Sequence, residues 1–216
     1  CLFRGNSGGK TADAAGAGVF ARDASATLTN CAFWENVSGA GAGVHSENST
    51  LTVANCTFAR NSVLYYGGAL SNDGSDVLVA DAILWGNTSD GAAPGESADP
   101  QIHNEEGSAS DVVYSLVEDG YAGEGNIDAD PAFANATGAD FRLLAGSPCI
   151  DTGRDTSGAA FGGVLYDIAG QARGIDGDGL GAGGTGDGSD YDMGAYEFPA
   201  QLFGDIDGTA KVNAVD

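Results

Sequence analysis

Basic residues are scarce: eight Lys and Arg stand against 31 Asp and Glu, for a net charge of −23. Such a field repels phosphate backbones and argues against nucleic acid as a partner. No apolar run approaches the ~20 residues of a membrane span, so no membrane span is expected here. No signal peptide opens the chain. It starts inside a repeat and reads as a fragment, so that lack is silent about secretion. Proline is rare, with 5 residues, while Gly reaches 36, about twice ordinary usage. High Gly without Pro suits many tight turns between short strands. The two histidines, His45 and His103, stand apart in the sequence with no nucleophile motif nearby, and are expected to be exposed. CxxC and paired-His patterns are missing too, which argues against zinc. No stretch keeps the 3.6-residue period of a long helix, which disfavours βαβ folds.

What is present is a repeated phrase. It reads Asn30-Cys31-Ala32-Phe33-Trp34-Glu35-Asn36, then Asn55-Cys56-Thr57-Phe58-Ala59-Arg60-Asn61, then more loosely Asp81-Ala82-Ile83-Leu84-Trp85-Gly86-Asn87. The chain opens inside another copy, Cys1-Leu2-Phe3-Arg4-Gly5-Asn6. The closing Asn residues are spaced 36 − 6 = 30, 61 − 36 = 25 and 87 − 61 = 26. A second phrase, ending at Val19, Val44 and Leu70, keeps spacings of 25 and 26. Two phrases on one period indicate a repeat array.

Between the phrases lie strand-like runs: Ala26–Thr29, Leu51–Val53 and Val77–Val79. About three short strands per ~25 residues describe one rung of a parallel β-helix. Stacking predicts an inward column of Phe3, Phe33, Phe58 and Leu84, and another of Val19, Val44 and Leu70. The closing Asn residues are expected at turns, tolerating a left-handed backbone and bonding one another in a ladder. Gly41 and Gly43 permit a sharp corner. Cys1, Cys31 and Cys56 share one repeat position, which predicts an interior ladder; a disulfide between neighbouring rungs is geometrically open.

The expected fold is therefore all-β, a parallel β-helix of about five rungs over residues 1–146. Residues 88–110 read as an extruded loop, the array resumes at 111–117, and Asp140–Leu144 suggests one further, less regular rung. Residues 147–198, with an almost pure Gly and Asp stretch at 174–190, read as a C-terminal cap over the end of the solenoid. Residues 199–216 are a linker and tail.

The Gly-Gly-Ala-Leu and Phe-x-x-Asn elements at 67–70 and 58–61 resemble polymorphic outer-membrane-protein repeats and related right-handed β-helix repeats. Gly125-Asn126-Ile127-Asp128-Ala129-Asp130-Pro131-Ala132-Phe133, Ser147-Pro148-Cys149-Ile150-Asp151 and Asp192-Met193-Gly194-Ala195-Tyr196-Glu197 resemble the choice-of-anchor Q domain of secreted bacterial proteins. These resemblances imply a right-handed helix and an extracellular or cell-surface location. Folds of this kind also host pectate lyases and other polysaccharide enzymes.

Gly204–Asp216 is similar to the first calcium loop of a type I dockerin, which implies attachment to a cohesin-like scaffold module. The EF-hand positions fall on Asp205, Asp207, Thr209, the Lys211 carbonyl, Asn213 and Asp216, oxygen ligands suited to Ca²⁺. Thr209 stands where a carboxylate is usual. Ala210 stands where Gly is wanted, at a cost of about 1 kcal/mol. A second Ca²⁺ candidate is Asp176, Asp178, Asp187 and Asp190, for which a solvated acidic loop is the plainer reading.

Catalytic signals are thin. Glu35, Glu47, Asp73, Asp76 and Asp81 lie near turns, and the sequence suggests no two in register across rungs, as a glycoside hydrolase would need. No basic residue recurs beside an Asp cluster, as a lyase would need. Trp34 and Trp85 are candidates for a sugar-stacking platform, or for packing. The favoured function is a secreted or cell-surface, non-catalytic β-helix module for adhesion or polysaccharide contact. The alternative is a polysaccharide lyase or glycoside hydrolase of the same fold.

Overall fold

The computed structural model describes residues 1–9, 11, 14–91, 99–105, 107–175 and 190–199. Its strands stack in parallel. One sheet is built from Leu2–Arg4, Ala32–Trp34, Thr57–Ala59, Ile83–Trp85 and Leu116–Val117. A second holds Val19–Arg22, Val44–Glu47, Leu70–Asp73 and Ile102–Asn104; a third holds Ser25–Thr29, Thr50–Ala54, Asp76–Ala80 and Ala109–Val113. A fourth, of Val37–Ala40, Ser62–Tyr66 and Thr88–Ser89, follows the closing Asn. Each full turn thus has four strands rather than the three expected, and about three turns are complete rather than five.

The register is the one the phrases predict: Phe3 pairs with Phe33, Phe33 with Phe58, and Leu84 with Phe58. The rings of Phe3, Phe33 and Phe58 lie nearly parallel, with centroids 4.7 and 4.6 Å apart. Val19, Val44, Leu70 and Ile102 form the second column. Cys31 and Cys56 are buried in the interior, and all four cysteines are free thiols. Gly43 lies where a Cβ would stand 2.5 Å from the Ala69 carbonyl oxygen and 2.7 Å from Phe58. That corner admits no side chain.

The closing Asn residues do form a ladder. Asn36 donates from its backbone N and from Nδ2 to Asn61 Oδ1, at 3.1 and 2.9 Å, and Nδ2 also donates to the Phe3 carbonyl. Asn61 repeats this toward Asn87 Oδ1 and the Phe33 carbonyl. Gln101 ends the series by accepting from Asn87 Nδ2 at 2.8 Å. The left-handed backbone falls elsewhere than expected. It is held by the preceding residue (Gly5, Glu35, Arg60, Gly86) and by the opening residue of each phrase (Asn30, Asn55, Asp81). The closing side chain is needed inside for the ladder, so the turn is made one residue earlier. A serine ladder runs beside the third sheet: the backbone N of Ala24, Ser49 and Ser75 donates to Oγ of Ser49, Ser75 and Ser108 in turn.

Where it is described, at 147–175 and 190–198, the segment expected to cap the end lies along the side. In the five-stranded sheet the inward Phe33, Phe58 and Leu84 alternate with outward Ala32, Trp34, Ala59, Ile83 and Leu116, which are also buried. Phe141 packs against Ala32, Trp34 and Ala59, while Met193, Cys149 and Ile150 pack against Ile83 and Leu116. Asp140–Leu143 belongs to this strap, pairing antiparallel with Phe133–Asn135 rather than forming a rung. The strap is fastened to the opening corner of successive phrases. Arg173 donates to Asn30 Oδ1 at 2.9 Å, Thr156 Oγ1 donates to Asn55 Oδ1 at 2.7 Å, and the Arg154 backbone N donates to Asp81 Oδ1 at 3.0 Å. The last turn is covered instead by the loop after Val117. There Tyr121 packs on the core, and Asn126 Oδ1 accepts the Ser115 backbone N while its Nδ2 donates to the Val112 carbonyl.

Candidate functional site

The strap leaves the outer face of the second sheet as the richest display of polar and aromatic groups. Alternation along Val44–Glu47 and Leu70–Asp73 sends Val44, Ser46, Leu70 and Asn72 inward. His45, Glu47, Ser71 and Asp73 therefore point outward, and two columns result. The first runs Phe20, His45, Ser71, His103 in strict register. Phe20 is 45% exposed and stacks on His45 at 5.4 Å, and Tyr66 stacks on His103 at 3.9 Å. The second runs Arg22, Glu47, Asp73 and continues to Glu105. Arg22 Nε donates to Glu47 Oε2 at 2.7 Å, and His103 Nε2 lies 3.3 Å from Glu105 Oε1.

Two expectations are corrected by this geometry. His45 and His103 do not stand alone in the open; they share one column and are largely covered, His103 showing 14% of its side chain. Glu47 and Asp73 are register partners, so carboxylates do align across rungs. Sequence reasoning missed them because the register was counted on the Gly and Cys phrases alone. The spacing 73 − 47 = 26 equals that of Leu70 from Val44, and was a usable signal.

Burial lowers the His45 imidazole below its ordinary value, while the Glu47 and Asp73 carboxylates pull the other way. Desolvation outweighs them, so the ring favours its neutral form. Its Nδ1 and the neighbouring Ser71 Oγ are both buried without a hydrogen-bond partner. On the strap side, Asp192 and Glu197 meet around Arg173. Burial, and then the Glu197 carboxylate, push Asp192 up to about 8. Arg173 and Glu197 form a fully buried ion pair at 3.1 Å. This cluster is sealed and serves to hold the strap.

The other expected site residues fall as follows. Trp34 is 2% exposed, edge-on to Phe141 with Arg4 over its ring, so the strap closes it to any sugar. Trp85 is half-buried against the Ile83 and Leu116 cluster. Asp190 is described, whereas Asp176, Asp178 and Asp187 lie outside the described residues, as do Asp205, Asp207, Thr209, Lys211, Asn213 and Asp216. Among the described residues no three His, Cys, Asp or Glu side chains converge on a metal position. No helix there is long and apolar enough to cross a membrane.

The arrangement can stack flat apolar rings on Phe20, accept hydroxyl hydrogen bonds at its carboxylates, and offer neutral imidazole and hydroxyl groups between them. A comparison with curated proteins found no match, and neither did one with solved structures. Residues 1–106 match the family model described as a right handed beta helix region. That match covers 106 of the 216 residues and agrees with the parallel in-register sheets on a right-handed β-helix fold.

Proposed function

We propose that this protein is a non-catalytic carbohydrate-contact module, presented outside the cell or on its surface, and that the outer face of the second sheet is its contact surface. The observation that carries this reading is the aromatic and imidazole column beside a carboxylate column, both running along the solenoid axis. Aromatic faces suit the apolar faces of sugar rings, and carboxylates suit their hydroxyls. With a net charge of −23 the surface repels polyuronates, so the fitting ligand is a neutral polysaccharide such as xylan or cellulose. Affinity electrophoresis tests it. Migration slowed by neutral xylan and restored by Phe20→Ala is the expected result; equal migration with and without every neutral glycan contradicts it.

The alternative, a glycoside hydrolase, has one specific observation in its favour: Glu47 and Asp73 on neighbouring strands, ~4.8 Å apart at the backbone. Retaining hydrolases hold two carboxyl groups at about that separation. Against it, Arg22 already occupies Glu47, donating from Nε to Oε2 at 2.7 Å.

For the tail, the dockerin resemblance supports Ca²⁺ held by Asp205, Asp207, Thr209, the Lys211 carbonyl, Asn213 and Asp216, with a cohesin-like scaffold module as partner. Calorimetric Ca²⁺ titration of a chain extended beyond Asp216 tests this. Saturable heat supports it, and no heat at millimolar Ca²⁺ removes it.

A further inference from the structure

Buried polar atoms in folded proteins nearly always have partners, and those that do not call for an explanation. Two such atoms belong to register partners on the contact face. Ser71 is 0% exposed and its Oγ bonds nothing; His45 Nδ1 is equally buried and equally unpaired. The residues are register partners on adjacent parallel strands, with side chains on one face. Their immediate neighbours are aromatic: Phe20 stacks on His45 from one side, and Tyr66 stacks on His103, the other register partner of Ser71. A hydroxyl and a neutral imidazole nitrogen together can both donate and accept, the direction at Nδ1 following the tautomer. Leaving both unpaired costs free energy that a ligand bringing its own hydroxyl would recover.

The geometry points to Ser71 Oγ and His45 Nδ1 as a hydroxyl-recognition subsite, in which one hydroxyl of a neutral sugar bridges the two atoms between the Phe20 and Tyr66 rings. This rests on the carbohydrate-contact reading and deepens it. Phe20 and Tyr66 supply stacking that tolerates many sugars, whereas the Ser71 and His45 pair selects for a hydroxyl at one position. Both atoms are buried, so the hydroxyl enters as a neighbouring side chain changes rotamer. The charged groups facing His45 are Arg22, Glu47, Asp73 and Glu105. At neutral pH the imidazole stays neutral, so the subsite discriminates by hydrogen bonding rather than by charge.

The test uses the full chain, with xylohexaose and cellohexaose as probes. Only two histidines are present, so ring resonances in NMR are readily assigned. Saturating sugar should move the His45 ring signals more than those of His103. Ser71→Ala should weaken binding by about three- to tenfold, the loss of one hydrogen bond. Phe20→Ala should weaken it for both sugars alike, while Ser71→Ala should change their ratio. Unchanged affinity in Ser71→Ala with a stationary His45 signal, while Phe20→Ala still weakens binding, would overturn the subsite and leave the contact face standing. No binding by the unmodified protein would overturn both.

Discussion

Asn61 shows how much of this fold rests on single recurring side chains. Its Oδ1 accepts two hydrogen bonds from Asn36, and its Nδ2 donates to Asn87 and to the Phe33 carbonyl, all in the buried interior. Asn61→Ala would leave the buried Asn36 backbone N–H without a partner, at roughly 1–3 kcal/mol, and would strip one bond each from the Asn36 and Asn87 side chains. Denaturant unfolding should therefore register a loss of about 2–4 kcal/mol for this variant. Two titrating groups set opposite pH slopes. Asp192 rises from 3.8 to about 8 through burial, so the native state holds a proton that the unfolded chain has released between those values. Its contribution is fully present below about pH 4 and is lost as pH rises through 8, by at most about 1.4 kcal/mol per pH unit. His45 is lowered by burial, so its contribution is present above about 6.5 and is lost as pH falls toward its depressed native value. Unfolding free energies measured from pH 4 to 9 should show the downward slope flattened in Asp192→Asn. His45→Gln should remove the loss on the acid side.

At the scale of elements, the strap is the part that sequence reasoning placed wrongly. The stacked phrases were legible because like residues recur every 25 or 26 positions, and a parallel stack turns that recurrence directly into columns. The strap has no such period, so only its composition could be read, and its Gly and Asp content suggested an end cap. Its true position was written in the sheet it covers. Ala32, Trp34, Ala59, Ile83 and Leu116 occupy outward positions yet are apolar, and a parallel sheet with both faces apolar must be covered on both. Two of the contacts that secure the strap can be separated by mutagenesis. Gly194 has φ +93°, and a Cβ there would stand 2.7 Å from Ile83 Cδ1. Gly194→Ala should prevent the strap from seating while leaving the turns intact. Arg173→Met would leave Glu197 buried without its cation, a loss of about 3–5 kcal/mol. In limited proteolysis both variants should be cut within 147–198 while residues 1–117 survive as a resistant core. A core degraded together with the strap would show that the two fold as one unit.

The whole molecule carries 31 acidic residues on a regular stacked scaffold, and the imidazole and carboxylate columns stand on the outer face of one of its sheets. The face with Phe20, His45, Ser71 and His103 was harder to read in the sequence because its members come from four different strands. Adjacent positions on that face are 25, 26 and 32 residues apart in the chain. The repeat made the scaffold predictable, whereas the columns on its surface depend on the register of residues outside the repeated phrases. The measurement that tests the account most directly combines binding with product analysis. The protein is incubated with neutral xylan and with polygalacturonate plus Ca²⁺, and retention and new chain ends are followed together. The account predicts retention on neutral xylan, weakened by Phe20→Ala, with no reducing or unsaturated ends released from either polymer. Reproducible release of such ends, abolished by Glu47→Gln or Asp73→Asn, would contradict it.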